Sequence, residues 1–231
     1  MIVLVIPTLD EEEGIGLTIQ EYKKQIRDIE VVVADGGSVD RTREISSYLG
    51  ADVITVNEKG KGSAIAESIK YLKRKYDPEF VIFTDGDYSY PADKIKEMIN
   101  LIENDDEIGA VIGDRLTNMS KFKIVTDIYL LGNYLIRWLY NAWWSISLHD
   151  PLSGLRVIRW AAISDWCPLS RGFEIETEMN LYLILNGWKI KEVPIDYRKR
   201  LGKKKLRIKD GLPIIKLLRH YPNTYENRNN Y

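Results

Sequence analysis

The stretch Glu79-Phe80-Val81-Ile82-Phe83-Thr84-Asp85-Gly86-Asp87-Tyr88-Ser89-Tyr90-Pro91 carries an apolar, β-rich run into a turn that holds two carboxylates. Gly86 lets the backbone bend sharply between Asp85 and Asp87, and Pro91 suits the first turn of a following helix. In open α/β sheets, ligands bind outside the carboxyl ends of the strands. Two hard oxygen donors at such a place suit Mg²⁺ or Mn²⁺ that also touches a diphosphate. Taken alone, Asp-Gly-Asp fits a solvated turn equally well; the surrounding chain has to decide.

Working outward, the first half alternates between strand and helix. Strands are expected at Ile2–Ile6, Glu30–Ala34, Asp52–Val56, Phe80–Thr84 and Gly109–Gly113. Helices are expected at Ile15–Ile26, Asp40–Leu49, Gly62–Tyr76 and Ala92–Glu103, where apolar residues recur every three or four positions. This rhythm argues a mostly parallel central sheet with helices on both faces. After Gly113 it breaks. A long aromatic helix over about 124–146 is followed by a strand (Leu155–Arg159), a helix (Glu174–Leu185), a strand (Trp188–Tyr197) and a last amphipathic helix (Ile208–Arg219). The chain reads as a single domain over 1–222, with a nucleotide-binding half (1–113), an acceptor half (114–222) and a polar tail (223–231) expected to fray.

Composition narrows the function classes. A formal net charge of −1 gives no global pull toward nucleic acid or membrane. The charge is uneven, however: seven of the ten residues from Arg198 to Arg207 are basic. Such cations repel one another and leave few apolar anchors, so this segment is expected to behave as a lid that orders over a diphosphate. Cys167 is the single cysteine, which excludes an internal disulfide and fits a reducing compartment. The two histidines, His149 and His220, lie far apart and argue against a His-based zinc site. Met1 to Ile6 reads as a first strand because it is short, lacks a basic leader and runs into Pro7. Asp127, Asn133, Arg137 and Asn141 interrupt the apolar stretch 124–148, which makes it a poor membrane span.

Three further motifs sit where strands end. Pro7-Thr8-Leu9-Asp10-Glu11-Glu12 follows the first strand, where carboxylates can accept hydrogen bonds from a base or a ribose. Acids enriched at a helix start account equally for Glu12 and Glu13. Asp35-Gly36-Gly37-Ser38-Val39-Asp40 ends the second strand; a cap and a turn account for Ser38 and Asp40 but leave Asp35 at the strand tip. Gly60-Lys61-Gly62-Ser63 precedes a helix and lacks the spacing of a P-loop. Its glycines are expected to bring the loop near a diphosphate, with Lys61 or the helix N-terminus as counter-charge.

In this order the pieces resemble the family 2 glycosyltransferases of the GT-A fold, in the branch of dolichyl-phosphate mannose and glucose synthases. The likeness extends through Gly113-Asp114-Arg115, Asp150-Pro151-Leu152-Ser153-Gly154-Leu155-Arg156, Gly172-Phe173-Glu174-Ile175-Glu176, Val193-Pro194-Ile195 and Arg200-Leu201-Gly202-Lys203-Lys204-Lys205-Leu206. The resemblance implies that Pro7, Glu11 and Asp35 hold the nucleoside, that Asp85 and Asp87 hold the metal and diphosphate, that Arg115 meets the acceptor phosphate, and that Arg200 and Lys205 close over the diphosphate. Two positions depart from the pattern. Ser89 stands where the mannose synthases have Gln in Asp-x-Asp-x-Gln, and Asp114 stands where the family often has Ser.

The implied reaction is inverting transfer of a sugar from a nucleotide-sugar donor, GDP-mannose or a UDP-sugar, to a polyprenyl or dolichyl phosphate. The departing diphosphate develops negative charge that a metal and cations stabilise. A phosphate acceptor is already ionised and needs positioning, by Arg115 and by Lys121 or Lys123, rather than a base. A sugar hydroxyl would need one, and Asp150 is then the candidate. Tyr129, Tyr134, Trp138, Tyr140, Trp143 and Trp144 would form an interfacial belt at a cytoplasmic membrane face, with Arg137 near headgroups; packing on the core or a dimer face explains the same residues. UDP-GlcNAc or UDP-glucose as donor, a hydroxyl acceptor, and a non-catalytic nucleotide-binding homologue are the alternative readings. A nucleotidyltransferase would need a glycine-rich loop after the first strand, and Thr8-Leu9-Asp10-Glu11 is not one.

Overall fold

The computed structural model describes residues 1–118, 128–144, 146–205, 207 and 210–229. Among these, seven strands form one sheet in the order β3-β2-β1-β4-β6-β5-β7. In chain order the elements are β1 (Ile2–Thr8), α1 (Ile15–Gln25), β2 (Glu30–Asp35), α2 (Thr42–Tyr48), β3 (Asp52–Thr55), α3 (Lys61–Lys75), β4 (Phe80–Phe83), α4 (Ile95–Glu103) and β5 (Ile108–Asp114). The second half adds α5 (Ile128–Trp144), β6 (Arg156–Arg159), a 3₁₀ turn (Trp160–Ala162), α6 (Ile175–Leu185), β7 (Lys189–Pro194) and α7 (Gly211–Asn229).

Alternation along the strands explains the two-sided cover. On β1, Leu4 and Ile6 enter the core that holds Tyr22 of α1 and Ile95 and Met98 of α4. Val3 and Val5 point the other way, into the core with Ile65 and Ile69 of α3 and Met179 of α6. Phe80 and Ile82 against Val81 and Phe83 repeat this split on β4. A third apolar cluster joins Ile136, Leu139 and Tyr140 of α5 to Leu181 of α6 and to Ile214, Leu218 and Tyr221 of α7.

The topology fixes where a ligand can bind. β1 pairs in parallel with β2 on one side and with β4 on the other, so the strand order reverses at β1 and β4. Their carboxyl ends flank the crevice that open α/β sheets use for ligands. β6 is antiparallel to both β4 and β5, so the chain that enters it, 150–155, arrives at the carboxyl edge of the parallel strands. β7, parallel to β5, leaves from the same edge into 195–205.

Several boundaries differ from the sequence reading: β1 runs on to Thr8, β7 stops at Pro194 rather than Tyr197, and three helix ends shift for reasons visible in their bonds. Helix α4 starts at Ile95 rather than Ala92 because residues 92–95 form a turn, with Ile95 N donating to Ala92 O at 3.2 Å and Ala92 N to the Glu21 carboxylate. Pro91 therefore precedes that turn and not the helix. Helix α2 starts at Thr42 because Asp40 closes the preceding turn, accepting from Thr42 N at 2.9 Å and Glu12 N at 3.0 Å. Helix α7 continues past Arg219 to Asn229, through the segment expected as a frayed tail, since Tyr221 extends its buried stripe by another turn. The expected start at Ile208 lies outside the described residues.

The Gly60-Lys61-Gly62 segment packs differently from a phosphate cradle. Gly62 N donates to Gly172 O at 3.1 Å and Ser63 N to Arg171 O at 3.3 Å, so α3's first amides are engaged by protein carbonyls. A Cβ on Gly62 would lie 2.2 Å from Ser170 O, and one on Gly60, whose φ is +122°, 2.0 Å from Arg171 O. The glycines serve close approach of two backbones, which corrects the reading of the helix N-terminus as counter-charge to a diphosphate. Alanine in an open helix position gains about 0.5–1 kcal/mol over glycine, but overpacking against backbone costs roughly 1–3 kcal/mol. Gly62→Ala should therefore lower stability by about 1–3 kcal/mol; a urea midpoint equal to or above the wild type in equilibrium unfolding would contradict this packing.

Candidate active site

The carboxyl edge gathers the 85–87 turn, the ends of β1 and β2, residues 114–115, the 150–154 loop and the basic segment after β7. The Asp-Gly-Asp turn is tightly built. Ser89 donates its backbone N (3.1 Å) and its hydroxyl (2.5 Å) to Asp87 Oδ1. Tyr88 sits at φ +61°, a left-handed conformation unusual for a bulky residue. Gly14 lies against the turn, where a Cβ would stand 2.7 Å from Gly86 O. Ser89 thus orients Asp87, which gives this departure from the family pattern a physical role.

Asp85 accepts from Lys61 Nζ at 2.6 Å, and the same ammonium reaches Glu176 Oε1 at 2.6 Å. Burial would raise the Asp85 pKa, but the Lys61 charge and hydrogen bond outweigh it and hold the carboxyl below its usual range. For Lys61, burial works downward, and Asp85 with Glu176 holds the ammonium firmly charged. Asp87 shifts the other way: burial, then repulsion from Asp85, pushes it up against the pull of Ser89 and Arg200. Two neighbouring carboxylates with opposed shifts are common where a site must manage charge.

In the described part of the basic segment, Arg198, Arg200 and Lys205 are each paired with a carboxylate. Arg198 makes a two-pronged pair with Glu21 (2.6 and 2.9 Å) and stacks on Tyr88. Arg200 Nη2 donates to both oxygens of Glu11 (3.0 and 3.2 Å), while its Nε lies 3.5 Å from Asp87 Oδ2. Lys205 Nζ pairs with Glu11 and donates to Asp10 O. Leu201 N donates to Asp87 O at 2.9 Å, which ties the segment to the 85–87 turn itself. Repulsion among the cations is offset by carboxylates distant in sequence. Burial raises the Glu11 pKa, with Lys205 and Arg200 opposing it.

Other expected site residues fall at the same edge with different partners. Pro7 lies on β1 opposite Ala34. Asp35, fully buried, accepts from Gly37 N, Ser38 N and Ser38 Oγ (3.2, 3.1 and 2.5 Å) and so builds its own turn. Arg115 grips Asp150 through Nε (2.6 Å) and Nη2 (2.8 Å), and its backbone N adds a third bond at 3.0 Å. Tyr90 and Tyr197 flank the guanidinium, with centroids 5.8 and 5.4 Å away. Asp114 binds Leu116 N, the Thr117 hydroxyl and His149 Nδ1, so it shapes the turn that presents Arg115. Lys121 and Lys123 lie outside the described residues.

Sequence reading placed Glu176 in a motif but gave it no role. Glu174, the residue that opens α6, and Glu178 within it are four apart and share a face. They hold the 169–172 backbone: Glu174 accepts from Arg171 N and Gly172 N, and Glu178 from Leu169 N and Ser170 N. Glu176 points away from that face, toward Lys61. The spacing in Glu174-Ile175-Glu176-Thr177-Glu178 was the available signal, but it does not name a partner. Glu192, which accepts from the backbone N of His149 and Asp150, was missed.

Among the described residues no three His, Cys, Asp or Glu side chains converge as a metal cluster. The donor set at the turn is two carboxylates, which fits Mg²⁺ or Mn²⁺, cations that take few protein ligands and keep phosphate or water oxygens. Gly154 leaves room beside Asp85: a Cβ there would stand 2.9 Å from Asp85 Oδ2 and would push that carboxylate aside.

Comparison with known proteins agrees with this geometry. Residues 3–164 match the sequence profile of glycosyl transferase family 2. Glycosyltransferase AglJ of Haloferax volcanii is 33% identical over 199 residues, covering 85% of this chain and 63% of AglJ. The dolichyl-phosphate hexose transferase of the same organism is 29% identical over 205 residues, covering 88% of this chain and 85% of the transferase. The chain spans less of some relatives: 49% of the hexosyltransferase Agl6. Among solved structures, glucosyl-3-phosphoglycerate synthase of Mycobacterium tuberculosis with Mn²⁺, UDP-glucose and phosphoglyceric acid superposes with a TM-score of 0.72 at 20% identity, covering 94% of this chain and 76% of that one. The same synthase was also crystallised with Mg²⁺ and UDP. The chain belongs to glycosyl transferase family 2 and has the GT-A fold.

Proposed function

We propose that this enzyme moves a hexose, with inversion, from a nucleotide-sugar to a polyprenyl phosphate of the dolichyl phosphate type. One observation carries the choice of acceptor. Asp150, the candidate base for a hydroxyl acceptor, is fully buried and held by three bonds from Arg115. A base must reach the proton it removes, and this carboxylate is committed elsewhere. A phosphate acceptor is ionised near neutral pH and needs only cationic positioning, which Arg115 offers from the guanidinium nitrogen Asp150 does not take, since Asp150 engages Nε and Nη2. The similarity to a protein named dolichyl-phosphate hexose transferase supports the same reading.

In this mechanism Pro7, Glu11 and Asp35 line the nucleoside side, and Lys61, Asp85 and Asp87 face the diphosphate. A divalent cation held by Asp85 and Asp87 would supply positive charge to the departing diphosphate. Arg200 and Lys205, which now neutralise Glu11, transfer their charge to the leaving group as the diphosphate competes for them. Inversion follows from attack opposite that group.

The lipid side is α5. No helix among the described residues is long and apolar enough to cross a membrane. Helix α5 nevertheless carries apolar side chains on both faces. Ile136, Leu139 and Tyr140 are buried, whereas Leu131, Leu135, Trp138 and Trp143 are 54%, 49%, 62% and 46% exposed. The expected belt is therefore divided: Tyr140 belongs to the core, and Trp144 packs on α7 with Nε1 donating to Leu218 O at 2.9 Å. The Tyr129 side chain lies outside the described residues. We assign the exposed stripe, with Arg137 beside Tyr134, to peripheral contact with a cytoplasmic membrane face.

Thermal shift with GDP and UDP, each with and without Mn²⁺, tests the donor. One nucleoside diphosphate with metal, at about 100 times its Kd, should stabilise by roughly 2.7 kcal/mol, which is about 5–10 °C at this chain length. Asp87→Asn should abolish the metal-dependent part and lower kcat/KM by about 100-fold, roughly 3 kcal/mol. Turnover near the wild-type rate would remove Asp87 from the metal site.

For the acceptor, Arg115→Lys loses the two-pronged geometry. It should raise KM for a short prenyl phosphate by about tenfold, roughly 1.4 kcal/mol, with nucleotide Kd within about twofold. An enzyme that ignores prenyl phosphates and glycosylates a sugar hydroxyl would reject this reading. Replacing Trp138 and Trp143 together by Ala should weaken sedimentation with anionic liposomes while sparing activity on farnesyl phosphate; equal liposome binding by variant and wild type would remove the membrane assignment.

A further inference from the structure

Arg156 begins β6 and is 1% exposed. A guanidinium removed from water is unfavourable unless it is paired or fully hydrogen-bonded. Its partners here are two backbone carbonyls and an amide: Nε donates to Ser153 O at 2.9 Å, Nη2 to Pro151 O at 2.8 Å, and Nη1 to Asn180 Oδ1 at 2.5 Å. Asn180, fully buried on α6, donates Nδ2 to the same Pro151 carbonyl at 2.9 Å and to the Tyr140 hydroxyl of α5 at 3.2 Å. Pro151 O thus receives two donors, the full capacity of a carbonyl.

The loop held this way touches both sides of the active site. At one end Asp150 grips Arg115. At the other, Gly154 N donates to the Tyr90 hydroxyl at 2.7 Å, and its α-carbon faces the Asp85 carboxylate, with a Cβ contact of 2.9 Å if one were present. A leucine or methionine would fill the same volume without desolvating a charge. Packing alone therefore gives no reason for a guanidinium at this place, whereas anchoring the carbonyls of 151 and 153 does.

We propose that Arg156, together with Asn180, is a positioning residue for glycosyl transfer: it fixes the Asp150–Gly154 loop so that Arg115 and Asp85 keep their relative placement. Through Tyr140 the seating of α5 enters the same network. The inference rests on the proposed function in taking Asp85 and Arg115 as the donor and acceptor sides of one site.

The test compares wild type with Asn180→Ala, Arg156→Lys and the volume control Arg156→Met. Three readouts are used: melting temperature, calorimetric binding of UDP and GDP with Mn²⁺, and kcat and KM with farnesyl phosphate and the nucleotide-sugar that the wild type uses. Asn180→Ala and Arg156→Met should bind nucleotide with stoichiometry unchanged and Kd within about twofold. Their kcat per nucleotide-binding molecule should fall about tenfold or more. Arg156→Lys should recover part of it, since an ammonium reaches one of the carbonyls. If Arg156→Met does not fold, Asn180→Ala decides alone. A kcat per binding-competent molecule within twofold of wild type in Asn180→Ala, whatever its melting temperature, overturns the proposal. A wild type that ignores farnesyl phosphate but glycosylates a sugar hydroxyl overturns the acceptor reading instead, and the same kcat comparison is then decided on that acceptor. A wild type that binds neither nucleotide overturns both.

Discussion

Carboxylates crowded at the carboxyl edge of a sheet must be neutralised, and in this chain the neutralising cations come from distant segments. Asp85 takes Lys61, Asp150 takes Arg115, Glu21 takes Arg198, and Glu11 takes Arg200 and Lys205. The alternative, several partly buried carboxylates without partners, would cost several kcal/mol each or force them to take up protons. Pairing therefore does more than decorate the edge. It pulls the segment after β7 back across the 85–87 turn.

That arrangement depends on β6, the one antiparallel strand among the described residues of the sheet. Because β6 runs against β4 and β5, the 150–154 loop is delivered to the edge where β1 and β4 diverge. A parallel β6 would have sent that loop to the opposite edge, away from both Asp85 and Arg115. The same reversal lets β7 run parallel to β5 and release Tyr197, Arg198 and Arg200 beside the turn. Asp85 and Arg115 thus come together through topology, with Lys61 and Glu176 closing the gap between α3 and α6.

Much of the frame was legible from local pattern. The two-residue alternation of Val3, Leu4, Val5 and Ile6 and the apolar run Phe80–Phe83 mark strands because side chains on a strand point to opposite faces. Asp85 and Asp87 stood out through their place at a strand end and the order of the motifs around them, since the tripeptide alone suits a solvated turn equally well. Gly60 and Gly62 were misread for a physical reason: the steric demand on them comes from the carbonyls of 170 and 171, more than a hundred residues away, and nothing in the local sequence announces it. The aromatic residues of α5 were similarly ambiguous. Tyr140 and Trp138 look alike in sequence, yet α6 and α7 bury one and leave the other exposed.

The sequence alone determined the positions of the strands and helices, the turn that carries the two aspartates, and the concentration of positive charge at 198–207, because each is set by residues within a few positions of one another. Only the tertiary structure decided partners: Lys61 between Asp85 and Glu176, Arg115 on Asp150 rather than standing free, and the basic segment folded onto Glu11. Those outcomes turn on which charge lies within about 3 Å in a site of low effective dielectric, and that distance is fixed by strand order and crossover, not by neighbours along the chain.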